Sequence, residues 1–242
     1  MHLKNKQILV TGTNSGFGKF ASSQIKDCVK LTRENKNFFL DYRHVKFDAI
    51  IHCAFNSKRN IDDFYSYYED NILLTENLIK LNYKKFIYIS SIDVKNPNES
   101  NYGLMKKIAE SIVRKKVKNN LIIRPSAILG QGIRKNSLIR ILQEDSPKLT
   151  LSEKSTFNYI LQEDMLEFIS KAIAEGISGE YDFTSSSNVT LGDIARKYDK
   201  KVLFGNYVYQ THTSQTKDTY KVFPKLNKDS IQVVEEYMRK CK

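Results

Sequence analysis

The stretch from Gln7 to Phe20 constrains this chain more than any other. Ile8, Leu9 and Val10 form a short apolar run, the pattern of a strand buried on both faces of a parallel sheet. Thr11 and Gly12 end the run. Thr13, Asn14 and Ser15 follow, then Gly16, Phe17 and Gly18, and a helical pattern continues from Lys19. Strand, glycine-rich turn and helix, in that order, are the layout of a dinucleotide-binding turn. Gly12 permits the tight turn, Gly16 lets backbone approach a pyrophosphate, and Gly18 lets helix and strand pack closely. The helix N-terminus then offers free N–H groups and the positive end of its dipole to the phosphates. Glycines can also merely make a turn, and the G-x-x-x-G-x-G spacing is only moderately specific, so the downstream pattern has to decide.

That pattern alternates strands and helices. The first helix is expected over Gly16–Asp27 and a second strand over Cys28–Leu31. Further strands are expected at Asn37–Tyr42, Asp48–Ala54, Lys85–Ser91 and Leu121–Ile123, with long helices at Ile61–Leu81 and Tyr102–Val117. In Lys85–Ser91, Ile87 and Ile89 fall on one face, Phe86 and Tyr88 on the other. Alternation of this kind builds a doubly wound parallel sheet of Rossmann type. Connections among the early elements are short, so a trimmed version of the fold is expected. From Gln131 the pattern changes to shorter pieces: a helix over Leu138–Leu142, strands at Leu149–Leu151 and Phe157–Leu161, and a helix over Met165–Ala174. A strand at Tyr181–Thr184, a helix Leu191–Tyr198 capped by Thr190, and a last helix Ile231–Arg239 complete the chain. The division is a dinucleotide-binding domain, residues 1–130, and a small C-terminal substrate lobe, residues 131–242, with segments returning to the main domain.

Composition narrows the function classes. No apolar run approaches the ~20 residues of a membrane span, and the polar start leaves no room for a signal peptide. Cys28, Cys53 and Cys241 are too few and too widely spaced for a disulfide framework or a metal pair, which points to a reducing, cytoplasmic setting. His52 and His212 show no ligand spacing, so no metal site is expected. The net charge of +12 comes from lysines dispersed along the chain, without a nucleic-acid motif or an interleaved aromatic platform. Solvated faces, with some attraction for phosphate-bearing ligands, account for it.

The residues that carry chemistry lie around the fifth strand. Ser91 closes it, Tyr102 lies beyond a loop, and Lys106 follows Tyr102 by four residues, on the same face of a helix. A Ser hydroxyl can bond a substrate oxygen. An ammonium beside a phenol is expected to lower the phenol pKa towards a range useful for proton transfer. Together they make a site for hydride transfer between a carbonyl and an alcohol. Tyr-x-x-x-Lys occurs twice in a chain with 14 tyrosines, at Tyr42–Lys46 and Tyr102–Lys106. Only the second follows a strand ending in Ser and opens a helix. At the end of the second strand stand Thr32 and Arg33. An Arg there can pair with a 2′-phosphate, which leans towards NADP over NAD, although Glu34 is adjacent.

Taken together these motifs resemble the extended branch of the short-chain dehydrogenase/reductase superfamily, the NAD-dependent epimerase/dehydratase family, over nearly the whole chain. Asp48–Ala54 is similar to D-x-x-I-H-x-A-A and Asn71–Thr75 to N-x-x-x-T. Ser90 and Ser91, Tyr102 with Lys106, and Arg124–Pro125–Ser126 through Gly130 resemble further motifs, and Tyr181–Thr184 resembles Y-N-V-T. The resemblance implies roles. Tyr102 would be the acid/base, Lys106 would lower its pKa and bind the nicotinamide ribose, and Ser91 would orient the substrate. Asn14, Ser15 and Phe17 with the three glycines would hold the cofactor. Asp41 would touch the adenine, Ala54 would line the cofactor channel, and Pro125 and Ser126 would lie near the nicotinamide. The lobe would bind a nucleotide-linked sugar, with Arg134, Lys135 and Asn136 as contacts or simply as an exposed polar loop. Relatives pair through the two long helices, which implies a homodimer.

Departures refine the expectation. Phe55 stands where a second Ala is usual, Lys95 where V-Y-G has Tyr, and Asp182 where Y-N-V-T has Asn. Dehydratases carry an Asp-Glu pair after the Ser/Thr position, but here Ile92 and Asp93 stand there, which counts against dehydration. Reduction of a 4-keto sugar needs the least machinery. The alternatives are a nucleotide-sugar epimerase with tightly held NAD and a non-catalytic dinucleotide sensor.

Overall fold

The computed structural model describes Leu3 and residues 6–35, 37–56, 64–97, 100–213 and 217–241. β1 (Ile8–Thr11) leads through the glycine turn into α1 (Gly16–Gln24), and β2 (Val29–Leu31) follows. Next comes a single helical turn, α2 (Phe38–Asp41), where the sequence predicts a third strand. Packing explains the correction. A strand would send Phe38 and Phe39 to opposite faces of a sheet. The helical turn instead stacks Phe38 on Tyr42, ring centroids 4.6 Å apart, and brings both against Phe47 in the core.

β3 (Lys46–Phe47) and β4 (Ala49–His52) come next, the latter stopping short of the expected end at Ala54. The long helix predicted from Ile61 begins outside the described residues. Its described part is α3 (Phe64–Tyr68), a π-helical stretch Glu69–Leu73, and α4 (Leu74–Ile79). β5 (Asn82–Tyr83), β6 (Phe86–Ile89), α5 (Asn101–Lys116) and β7 (Asn120–Pro125) complete the first part of the chain.

The remainder runs β8 (Ala127–Leu129), α6 (Ser137–Gln143), β9 (Thr156–Phe157), β10 (Tyr159–Leu161), α7 (Gln162–Glu175) and β11 (Gly179–Phe183). It ends with β12 (Val189–Thr190), α8 (Leu191–Lys197), α9 (Lys217–Val222) and α10 (Ser230–Lys240). The strand expected at Leu149–Leu151 does not form; Lys148 and Leu151 make isolated bridges to Leu203 and Tyr207. The run Phe157–Leu161 breaks in two at Asn158. That buried side chain accepts from Ser185 N–H and donates to the carbonyls of Ser185 and Ser187, so it serves a neighbouring loop rather than a ladder. β9 consequently pairs with β12 and β10 with β8. Thr190 caps α8 as expected, its side chain accepting from Asp193 N–H.

Six strands form a parallel sheet in the order β11-β7-β6-β4-β1-β2. The chain moves outward from β1 in both directions, so the switch point lies between β1 and β4, where such sheets bind ligands at their carboxyl ends. Helices cover both faces. Ile87 and Ile89 pack with α1 and α7, while Phe86 and Tyr88 pack with α3, α4 and α5. A third core, built from β8, β10, α6, α8 and α10, belongs to the later part of the chain, yet β11 and α7 join the main sheet and its core.

Candidate active site

The glycine turn is shaped by close approach. Gly12 has φ +72° and packs against the loop after β4, where a Cβ would lie 2.7 Å from Ala54 N. A Cβ at Gly18 would lie 2.4 Å from the Gly12 carbonyl oxygen. Gly16 also has positive φ, but a Cβ there would meet nothing within 4 Å. Its open side adjoins the start of α1. No side chain caps that helix, and its first turn holds no acidic residue. Backbone N–H groups and a positive dipole end are therefore presented where an anionic group can approach, and the donor set fits a pyrophosphate. Asn14 and Ser15 are exposed there, and Phe17 is buried in the core beneath.

The loop Cys53–Asn56 is fixed at both ends. Thr11 Oγ1 accepts from the N–H groups of Cys53 (3.1 Å) and Ala54 (3.0 Å). The π-helical stretch aims Asn71 at the far end, where its Oδ1 accepts from Asn56 N–H over 2.8 Å and its Nδ2 donates to Asn56 O over 3.1 Å. His52 links the two anchors. With both Thr11 lone pairs engaged, the Thr11 hydroxyl donates to His52 Nδ1 (2.8 Å). His52 Nε2–H then donates to Thr75 Oγ1 (2.9 Å), which donates to the Asn71 carbonyl.

Burial drives the His52 pKa down to about 3, so the ring is neutral in the folded chain. Between about pH 6.5 and about 3 the unfolded chain binds this proton and the native chain does not. Stability is therefore expected to fall on acidification through that window, by up to roughly 1.4 kcal/mol per pH unit from this group. Denaturant unfolding of wild type and His52→Gln at several pH values checks this. An equal pH slope in both would remove His52 from the account.

Ser91, Tyr102 and Lys106 assemble at the carboxyl end of β6. Ser91 is the N-cap of a 3₁₀ turn, Ile92–Lys95, and its hydroxyl faces the Tyr102 phenol closely enough to favour the phenolate. Tyr102 lies in the first turn of α5, which Ser100 caps through Gly103 N–H. Its ring meets Phe55 edge-on, centroids 4.8 Å apart. The expected depression of its pKa is not found. Burial pushes the phenol up to about 12, Ser91 opposes this, and Asp93 and Tyr67 add to the rise. The reason is where Lys106 points. Its Nζ donates to the Ile89 carbonyl (2.7 Å) and lies 4.3 Å from the Phe55 ring centroid and 4.9 Å from that of Tyr88. Burial lowers the ammonium itself to about 7, so it does not act as a fixed charge beside the phenol.

Other expected site residues distribute unevenly. Arg33 is exposed and pairs with Asp70 at 2.5 Å. Asp41 is exposed on α2 rather than at a strand end, which removes the placement that suggested an adenine contact. Ala54 abuts the glycine turn, and Pro125 ends β7. Asn136 caps α6, its Oδ1 accepting from Ile139 N–H at 3.0 Å, so that acceptor serves the helix. Arg134 is exposed, and Lys135 pairs with Glu144 at 2.8 Å. Two departures noted in the sequence meet each other: Lys95 forms an ion pair with Asp182, tying the turn after Ser91 to β11. Behind α5, Arg124 binds Glu110, Glu180 and Asp182, and Ser90 donates to Glu110. Sequence reasoning missed Glu110, Tyr67 and Tyr209. The Tyr209 hydroxyl donates to Asp93 over 3.1 Å across 116 residues of chain, a contact with no local signal. No group of three or more His, Cys, Asp or Glu side chains among the described residues could hold a metal ion, and no described helix is long and apolar enough to cross a membrane.

No family model matches the sequence, and no curated protein sequence matches it. Solved structures do match. MoeE5 in complex with UDP-glucose and NAD superposes with TM-score 0.77 at 14% identity, covering 97% of this chain and 99% of the other. The dTDP-4-dehydrorhamnose reductase of Bacillus anthracis in complex with NADP gives TM-score 0.76 at 16% identity, covering 97% and 99%. The chain shares the fold of these proteins, a parallel dinucleotide-binding-type sheet with further elements after it. The UDP-glucuronic acid 4-epimerase of Bacillus cereus, in complex with UDP-glucuronic acid and NAD, is also similar, with TM-score 0.73 at 16% identity and coverage of 98% and 100%. The fold thus extends over both parts of the chain, including the elements after residue 131 that have no counterpart in a bare dinucleotide-binding sheet.

Proposed function

We propose that this chain is an NAD(P)-dependent oxidoreductase acting on a nucleotide-linked sugar, most simply a 4-keto-sugar reductase. One observation carries the reading: the single loop Cys53–Asn56 touches both halves of the site. Ala54 abuts the turn whose amides suit a pyrophosphate, and Phe55 packs on Tyr102, which stands beside Ser91. A phosphate cradle and a proton donor are thereby held in one frame. A nicotinamide dinucleotide held there would supply the hydride. Ser91 hydrogen-bonds the carbonyl oxygen of the substrate and Tyr102 gives that oxygen its proton. Burial keeps Tyr102 protonated at neutral pH, the form that reduction requires. Lys106, one helical turn on, is the residue that would meet the ribose hydroxyls. Gly12, Asn14, Ser15, Gly16 and Gly18 would hold the phosphates. Oxidation of NADPH or NADH on adding a nucleotide-linked 4-keto sugar tests the proposal; no oxidation with any such sugar would refute it.

The pairing of Arg33 with Asp70 favours a second reading, an epimerase with tightly held NAD, because the guanidinium is already engaged by a carboxylate. If Arg33 turns to a 2′-phosphate, Arg33→Ala should weaken NADPH at least ~10-fold and leave NADH nearly unchanged. Equal, unchanged affinities for both would assign the Arg33–Asp70 pair a structural role and favour the epimerase. Detectable turnover of either kind rules out a purely sensory role. The proposed assembly is a homodimer through α3 and α5, where Phe64, Tyr65, Leu104 and Ile108 are exposed. The proposed setting is cytoplasmic, in which Cys28, Cys53 and Cys241 stay reduced.

A further inference from the structure

The Asp93 carboxylate takes no part in the chemistry above, yet it stands beside it. Asp93 follows Ser91 by two residues and its N–H donates to Ser91 Oγ over 3.2 Å. Its carbonyl lies against the first turn of α5, where a Cβ on Gly103 would come within 2.9 Å of Asp93 O. The residue after Tyr102 thus leaves room for Asp93. From the opposite side, Tyr209 donates its hydroxyl to Asp93 Oδ1 over 3.1 Å.

Tyr209 is itself well fixed. Its N–H donates to Ser155 Oγ (3.1 Å), its carbonyl accepts from Thr156 N–H (2.8 Å), and its ring stacks on Phe157 with centroids 5.0 Å apart. Two distant segments therefore converge to hold one carboxylate next to the proton donor. Ser91 and the Tyr102 phenol stand beside the carboxylate. Lys106 is turned towards the Ile89 carbonyl. An ionised carboxylate has about four acceptor positions, and Tyr209 uses one.

We propose that Asp93, anchored by Tyr209, is a specificity-determining residue. It accepts a hydrogen bond from the hydroxymethyl group carried by the sugar carbon next to the reacting one, and it repels the carboxylate that replaces that group in a uronic acid. The site therefore takes neutral sugars and rejects uronic acids. This rests on the nucleotide-sugar reading above. A hydroxyl bonded to a carboxylate gains a charge-assisted hydrogen bond. Two carboxylates side by side in a partly buried site repel without compensation, which is worth a factor of about ten or more in affinity.

Calorimetric titration of the NADH-saturated protein tests this, with UDP-glucose against UDP-glucuronic acid and with the corresponding dTDP sugars. Wild type should bind the neutral sugar at least ~10-fold more tightly than its uronic counterpart. Asp93→Asn keeps the shape and removes the charge. It should bind the neutral sugar more weakly and the uronic acid more tightly than wild type does, whereas structural damage would weaken both. Asp93→Glu should restore the preference in part. Equal or reversed preference in wild type, or an unchanged ratio in Asp93→Asn, would overturn the proposal. Failure of every sugar to bind while NADH still binds would instead defeat the nucleotide-sugar reading, and the proposal with it.

Discussion

Tyr102→Phe is expected to lower turnover by about 10²–10⁴-fold while leaving dinucleotide affinity within about twofold. The substitution removes one hydroxyl. That hydroxyl stands beside Ser91, where the two can share one substrate oxygen. The ring keeps its edge-on contact with Phe55, so the loop that abuts the glycine turn stays in place. Binding and chemistry should therefore separate cleanly in steady-state kinetics and calorimetry. A Phe variant that lost cofactor binding would mean that Tyr102 shapes the cradle rather than the proton transfer. A variant with full turnover would remove it from the mechanism.

The second large effect is expected at Gly12. Its φ of +72° is strained for any side chain, and the added Cβ would press on backbone atoms of Ala54 at 2.7 and 2.8 Å. Neither β1 nor the loop after β4 can retreat, because Thr11 ties them together through two N–H bonds. Gly12→Val should destabilise the chain by about 3–5 kcal/mol, seen as a lowered denaturation midpoint. Gly16→Ala is the instructive contrast. It carries the cost of positive φ, about 1–2 kcal/mol, but its Cβ meets nothing within 4 Å. That variant should fold and yet bind dinucleotide poorly, because the methyl enters the space where phosphate would meet backbone. Equal stability losses at the two positions would contradict the distinct roles assigned to these glycines.

Much of this architecture is legible locally. The apolar runs of β1, β4, β6 and β7 are short and bounded, and the faces of β6 separate as its alternation predicts. Ser91 and Tyr102 come together because a strand end and a helix start are both marked in sequence. The misreadings share a cause: contacts that arise only on folding. Phe38 to Tyr42 looks like a strand until the value of stacking Phe38 on Tyr42 over Phe47 is known. Spacing places Lys106 on the face of Tyr102 but says nothing of its rotamer, and the Ile89 carbonyl captures the ammonium. Lys95 and Asp182 each read as an isolated departure, and only the fold shows them as one ion pair. Tyr209 carried no signal because its meaning depends on Asp93, 116 residues earlier in the chain.

The central claim is that one frame holds a dinucleotide cradle and a Ser91–Tyr102 proton donor. Its most direct test is a calorimetric titration of the purified protein with NADH and with NADPH, after any bound nucleotide has been removed, repeated with Gly16→Ala. At least one dinucleotide should bind, one per chain, with affinity weakened strongly in the Gly16 variant. Absence of binding to either would leave the fold intact and contradict the assigned function.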